Sequence, residues 1–328
     1  MAFIFSTNLG RGLFGKGRRS VSGHRTVVRM AATGPMGFIG LGIMGYPMAQ
    51  NLINGGGELV VWNRSTEKSA DLADKNPGKV TVVESPKEVI ERCDITFSML
   101  STPQAVEAIY FGSGDKSALE GVSKGKRIVD CSTLTQEASQ ASADAVAERG
   151  GLFLEAPVSG SKVPAETGNL IFLCGGDKST FDIIENELSL MGKKSFFLGP
   201  CGSGTRMKLV VNMIMGSMMA ALSEGIALAE ATDLDGQTLL DVLDLGAMAN
   251  PLFKMKGGNM LTDKRNYAPH FPLEHAQKDM RFACSLADQA EVQMPVASAA
   301  NQLFISARSQ GFSREDLSAV IEALRTKQ

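Results

Sequence analysis

Apolar residues fall into two rhythms along this chain. Up to about residue 198, short apolar runs alternate with stretches whose apolar positions recur every three or four residues. The runs Met36–Ile39, Leu59–Trp62, 80–83, 95–100, Arg127–Asp130 and Leu152–Glu155 predict strands. Thr66–Lys75, Pro86–Arg92 and residues 136–149 predict helices between them. Residues 170–174 and 195–198 read as final strands, separated by a helix over 181–191. This alternation implies βαβ units and a mostly parallel sheet with helices on both faces. Beyond residue 200 the rhythm changes to helix almost throughout. One long proline-free run spans 204–231, and breaks fall at 249–251, 266–272 and 293–295.

The segment 36–51, MGFIGLGIMGYPMAQN, is the point around which the first half is organised. It reads as strand, glycine turn and helix. Gly40-Leu41-Gly42-Ile43-Met44-Gly45 fits G-x-G-x-x-G. Gly40 permits a tight turn, Gly42 lets backbone approach a pyrophosphate, and Gly45 lets the helix pack close to the strand. Backbone N–H groups at the helix start then face the phosphates. In a chain with 35 glycines such a pattern is also compatible with an ordinary turn. The following apolar run at Leu59–Trp62, placed as a second parallel strand, favours a dinucleotide site. The expected fold class is therefore α/β: a Rossmann-type doubly wound parallel sheet over 34–198, joined by a long helix to an all-helical domain over 199–328.

Composition changes this picture in two places. The first 33 residues carry Lys16 and five arginines but no Asp or Glu; the first acid is Glu58. A basic, acid-free, Ser-bearing leader is the signature of an organelle transit peptide, for plastid or mitochondrion. Its removal takes six positive charges from a chain of net −2 and leaves about −8. Neither value suggests a nucleic-acid partner. The second place is 209–222, LVVNMIMGSMMAAL. This apolar run is shorter than the roughly 20 residues a bilayer needs, so no membrane span is expected. An all-round apolar helix must still be covered, which predicts a homo-oligomer, a dimer or tetramer. The five cysteines are dispersed and odd in number, and His24, His270 and His275 show no ligand spacing, so neither disulfides nor a metal are expected.

Four stretches carry candidate chemistry. Where an NAD enzyme usually places an acid, this chain has Asn63-Arg64-Ser65. A guanidinium there binds a ribose 2′-phosphate, which predicts NADP(H); an exposed turn arginine is the alternative. Two polar loops fall at strand ends, Asp130-Cys131-Ser132-Thr133 and Pro157-Val158-Ser159-Gly160-Ser161. Each can bind a small carboxylate or simply cap a helix. Lys208 lies early on the long helix with Asn212 at i+4, on the same face. A buried ammonium needs a reason, whereas a snorkelling lysine needs none. The pair Lys278-Asp279 lies on a helix after the turn Pro269-His-Phe-Pro272.

Taken in order, these motifs resemble the β-hydroxyacid dehydrogenase family. GFIGLGIMG, the D-C-S-T and E-A-P-V-S-G-S loops, the G-x-x-G-x-G-x-x-x-K-x-x-x-N stretch from Gly199 to Asn212, and Lys278-Asp279 all match over about residues 36–325. Many members read S-G-G where this chain has Ser159-Gly160-Ser161. That serine, with the runs KLVVNMIMGSMMAALSEG and FPLEHAQKDMRFA, resembles the plant reductases of glyoxylate and succinic semialdehyde, and the leader resembles their organellar form. The resemblance implies Lys208 as catalytic acid. It implies Ser132, Ser159, Gly160, Asn212 and Phe271 about the substrate. It places Gly40, Leu41, Gly42, Ile43, Met44, Gly45, Asn63, Arg64, Ser65, Leu100, Thr133 and Lys278 about NADP(H). The function so implied is NADPH-dependent reduction of a small aldehyde acid, glyoxylate to glycolate or succinic semialdehyde to 4-hydroxybutyrate. Two alternatives stand beside it: a 3-hydroxyisobutyrate-type dehydrogenase, and a non-catalytic binding module on the same fold. An acid at 63–64 would favour the first and loss of the lysine the second; the chain has neither feature.

Overall fold

The computed structural model describes residues 34–112, 114, 116–262 and 267–325. The basic leader lies outside these residues. Among the described residues nine strands form one sheet: β1 Met36–Ile39, β2 Leu59–Trp62, β3 Val80–Val82, β4 Ile95–Ser98, β5 Arg127–Asp130, β6 Leu152–Glu155, β7 Val158–Ser159, β8 Leu170–Gly176 and β9 Gly192–Phe197. The order begins β3-β2-β1-β4-β5-β6, all parallel, which is the doubly wound dinucleotide arrangement. The central strands read as unbroken apolar runs because both faces are covered. Phe38, Val61, Phe97 and Val129 pack on one face with Met48 and Leu52 of helix Gly45–Asn54. Ile39, Val60 and Ile128 pack on the other with Val89, Ile90 and Val146. Helices start where short polar side chains cap them: Ser85, Thr102, Thr135 and Asp177 each accept a backbone N–H three residues on.

The last three strands depart from the expected parallel pattern. β8 runs antiparallel to β6 and to β7, and β9 is parallel to β8. The reason is the connection. Between β6 and β8 the chain spends its length on β7 and a five-residue helix, Lys162–Glu166. A parallel crossover usually carries a full helix back across the sheet, and this connection holds only that short one. The helix expected over 181–191 is also broken, into Lys178–Ile183 and Glu185–Met191.

Helix Ser203–Ala231 follows Gly202, whose φ is +91°. Around it pack helices Gly236–Leu245, Pro251–Met260, Leu273–Gln289 and Pro295–Ser309, with 3-10 turns at Phe312–Arg314 and Leu317–Ala323. Met219, Ile226, Tyr267, Phe304 and Val320 centre their shared core. The crossing with Leu273–Gln289 is close: a Cβ on Gly216 would stand 2.4 Å from Met280 Sδ. By length and composition the long helix is apolar enough to span a bilayer, but it serves here as the core of the helical layer. One side is uncovered in this chain, with Met207, Val210, Ile214 and Leu228 exposed.

Candidate active site

The glycine turn has the geometry its residues require. Gly40 has φ +96°, and a Cβ there would stand 2.5 Å from the Met99 carbonyl. A Cβ on Gly45 would come within 1.9 Å of the Gly40 carbonyl, so only glycine lets the helix sit this close to β1. Gly42 faces open space, with nothing within 4 Å of a built Cβ. That is the opening a pyrophosphate needs, and the turn fits a dinucleotide. Asn63, at the end of β2, braces the turn by accepting the Leu41 N–H at 2.8 Å and donating to Ser65 O at 2.9 Å. Arg64 and Ser65 are exposed beside it. Lys68, one turn beyond Arg64, lines the cleft and was not picked out from sequence; its i+4 spacing from Arg64 was the available signal.

Lys208 is buried, with 6% of its surface exposed, one turn into the long helix. Its Nζ donates to Asn212 Oδ1 at 2.9 Å, and Asn212 Nδ2 donates to Asp279 Oδ2 at 2.6 Å. The carboxylate fixes which way the amide faces, so its oxygen is turned to the lysine. Burial lowers the Lys208 pKa to about 8; Asp279 opposes this drop and Lys278 adds to it. The sequence names Asp279 together with Lys278 but suggests a role only for the lysine; the hydrogen bond to Asn212 is what draws Asp279 into the site.

Lys278 spans the two halves of the molecule. Its Nζ donates to the carbonyls of Thr133 at 2.8 Å and Ser101 at 3.3 Å, and lies 3.3 Å from Asp279 Oδ1 without hydrogen-bond geometry. Ser132 is turned inward. Its hydroxyl donates to Asp130 Oδ1 at 2.6 Å and accepts the Leu100 N–H at 2.9 Å. Asp130 is fully enclosed; burial raises its pKa despite the Ser132 and Ser98 hydroxyls. So Ser132 braces the turn that presents Thr133. Ser159 is half-buried on β7 and Gly160 is exposed with φ +130°.

A cavity of about 290 Å³ lies where these parts meet. Gly42, Ile43, Met44, Gly45, Leu100, Thr133, Phe271 and Lys278 line it, as do His270, His275 and Asp279. A second cavity of about 750 Å³ continues from Leu41, Gly42 and Ile43 past Lys68 to Pro269 and His270. Ser132, Ser159, Gly160, Lys208 and Asn212 are not on either wall; Lys208 is linked to the first cavity through Asn212 and Asp279. Among the described residues, no cluster of three or more His, Cys, Asp or Glu is arranged to hold a metal.

A family model described as the NAD-binding domain of 6-phosphogluconate dehydrogenase matches residues 35–199. A second, described as the NAD-binding domain of NADP-dependent 3-hydroxyisobutyrate dehydrogenase, matches 202–324. The chain is 50% identical over 290 residues to glyoxylate/succinic semialdehyde reductase 1 of Arabidopsis thaliana, covering 88% of this chain and 98% of that one. It is 48% identical over 290 residues to the chloroplastic reductase 2 of the same organism, covering 88% and 79%. The 3-hydroxyisobutyrate dehydrogenase of Salmonella typhimurium shares the fold, with a TM-score of 0.79 at 23% identity over 88% of this chain and 99% of that one. The chain belongs to the β-hydroxyacid dehydrogenase family. Within it, this protein is an NADP-dependent oxidoreductase acting on a small molecule.

The exposed Arg64 beside the braced turn generates a prediction. Arg64→Asp replaces attraction with repulsion at a 2′-phosphate and leaves the rest of the dinucleotide untouched. NADPH affinity should fall by at least about tenfold while NADH affinity holds, read by fluorescence titration of each cofactor. Equal weakening of both would mean that Arg64 does not meet the phosphate.

Proposed function

We propose that the protein reduces small aldehyde acids, glyoxylate and succinic semialdehyde, in the cleft between sheet and helical bundle. The observation that carries this reading is the buried Lys208–Asn212–Asp279 chain reaching the cleft wall. NADPH, when bound, supplies the hydride that reduces the aldehyde carbon. Lys208 answers the charge that then develops on the carbonyl oxygen. One Nζ proton is held by Asn212, leaving the others to stabilise that oxygen and protonate it. With a pKa near 8 the ammonium is both present at neutral pH and ready to give up its proton. Ser159 and Gly160 hold the substrate carboxylate, with Ser132 setting the neighbouring turn from behind, and Phe271 walls the aldehyde end. Gly40–Gly45, Asn63, Arg64, Ser65, Leu100, Thr133 and Lys278 hold the cofactor, with Lys68 a second cation for the phosphate. The domain division at 198–199 puts cofactor and proton donor on opposite sides of the cleft.

Two wider proposals accompany this reading. The leader 1–33 directs the protein to plastids or mitochondria, supported by its acid-free basic composition and by a chloroplastic relative. A reporter fused to those residues should enter an organelle; a diffuse cytosolic signal would reject the idea. The exposed apolar side of the long helix is covered by a second copy, in a dimer or tetramer. Light scattering on the purified protein decides this, and a stable monomer would contradict it. Neither a nucleic-acid nor a membrane partner is part of the proposal.

Lys208 gives the decisive kinetic test. Lys208→Ala should lower kcat by about 10²–10⁴-fold with NADPH affinity nearly unchanged, followed by NADPH absorbance with each aldehyde. In the unsubstituted enzyme kcat should fall as pH rises through about 8, because the lysine loses the proton it must donate. Near-normal turnover of Lys208→Ala would place the proton donor elsewhere.

A further inference from the structure

Sixty residues apart in sequence, Lys256 and Asp316 meet in the helical core with 2% and 0% of their surfaces exposed. Lys256 Nζ donates to both carboxylate oxygens, at 2.8 and 2.7 Å. Each oxygen then has a further task. Oδ1 accepts the Ser318 N–H at 3.1 Å and its hydroxyl at 2.8 Å, capping the 3-10 turn Leu317–Ala323. Oδ2 accepts the His270 N–H at 3.1 Å and the Phe271 N–H at 3.2 Å. The backbone repeats this docking: Asp316 N–H donates to Tyr267 O, Leu317 N–H to Phe271 O, and Leu273 N–H to Glu315 O, at 2.8–2.9 Å. The turn so gripped supplies His270, Phe271 and Pro272 to one cleft cavity and Ala268, Pro269 and His270 to the other.

We propose that the Lys256–Asp316 pair is a positioning device for the substrate wall, holding the turn 267–272 so that Phe271 and His270 face the cleft. This rests on the reductase reading above and extends it to residues that touch neither substrate nor cofactor. A buried ion pair adds little net stability over apolar residues of equal volume, so its presence is better explained by the geometry it imposes. The lysine fixes the plane of the carboxylate, and that plane aims Oδ2 at two consecutive amides. Burial alone would raise the Asp316 pKa, but hydrogen bonds and charge from Lys256, with Ser318, hold it below the usual carboxylate range. The carboxylate therefore remains charged, and the grip remains closed, throughout the neutral range.

The test replaces both partners, Lys256→Met with Asp316→Leu, which removes the grip without stranding a buried charge. The substrate KM for succinic semialdehyde should rise by about tenfold or more while the NADPH Kd stays within about twofold. In a Phe271→Ala background the same replacement should change KM by less than about twofold, because the wall it positions is already gone. Amide hydrogen exchange at His270 and Phe271 should accelerate, a readout that needs no turnover. An unchanged KM in the folded variant, or a parallel loss of NADPH affinity, would overturn the proposal. If the apolar pair fails to fold, Lys256→Met with Asp316→Asn, which removes both charges and keeps the volume of the carboxyl group, is judged by the same KM and exchange criteria. Wild-type protein inactive with every aldehyde acid would instead sink the reductase reading, and the exchange measurement would still decide whether the pair holds the turn.

Discussion

The Glu155 carboxylate at the end of β6 holds the head of the long helix, and the site depends on that grip. Oε1 accepts the N–H groups of Gly204, at 2.7 Å, and Thr205, at 3.3 Å. Oε2 accepts the Thr205 and Ser139 hydroxyls, both at 2.6 Å. A buried carboxylate with four donors at a helix N-terminus is satisfied by the orphan amides and by the dipole together. Gly204 completes the fit, since a Cβ there would stand 2.1 Å from the Leu173 carbonyl. Lys208 comes one turn later, so its place relative to the strand ends is set by this contact. Asp130, the register partner of Glu155 on β5, does the corresponding work for the turn carrying Ser132 and Thr133.

Three lysines in the helical half show how surroundings decide what one side chain does. Lys208 is stripped of water and given an amide that is itself oriented by a carboxylate, so its proton becomes labile. Lys256 is as deeply buried but meets a carboxylate directly, and serves to fix that carboxylate in place. Lys278 lies between these extremes. Its ammonium is divided between two carbonyls of the sheet domain and a neighbouring carboxylate, and so ties the two sides of the cleft together. An ammonium is a compact donor with three rotatable protons, which suits all three tasks.

Much of the fold was legible in the chain itself. Met36–Ile39 and Leu59–Trp62 are unbroken apolar runs, and Arg127–Asp130 and Leu152–Glu155 are apolar at their centres, because parallel strands are buried on both faces, and they form at those bounds. The glycine turn was readable because Gly40 and Gly45 answer local steric demands and Gly42 leaves the space beside them open. Lys208 with Asn212 was readable because helical spacing puts them on one face. The antiparallel turn of β8 was not, since strand direction follows from the length and path of the connection rather than from composition.

What the sequence determined, then, is where the backbone goes locally and which residue types lie near each strand end. Partnership across distance was decided by the tertiary structure alone. Asp279 lies 67 residues from the Asn212 it orients, and Asp316 46 residues from the His270 amide it holds. The Asn63 amide braces Leu41, and the Ser132 hydroxyl is committed to Asp130. Periodicity records which face of an element is buried. It carries no record of which polar group stands opposite once that face is covered, and a buried polar group takes its chemistry from that partner.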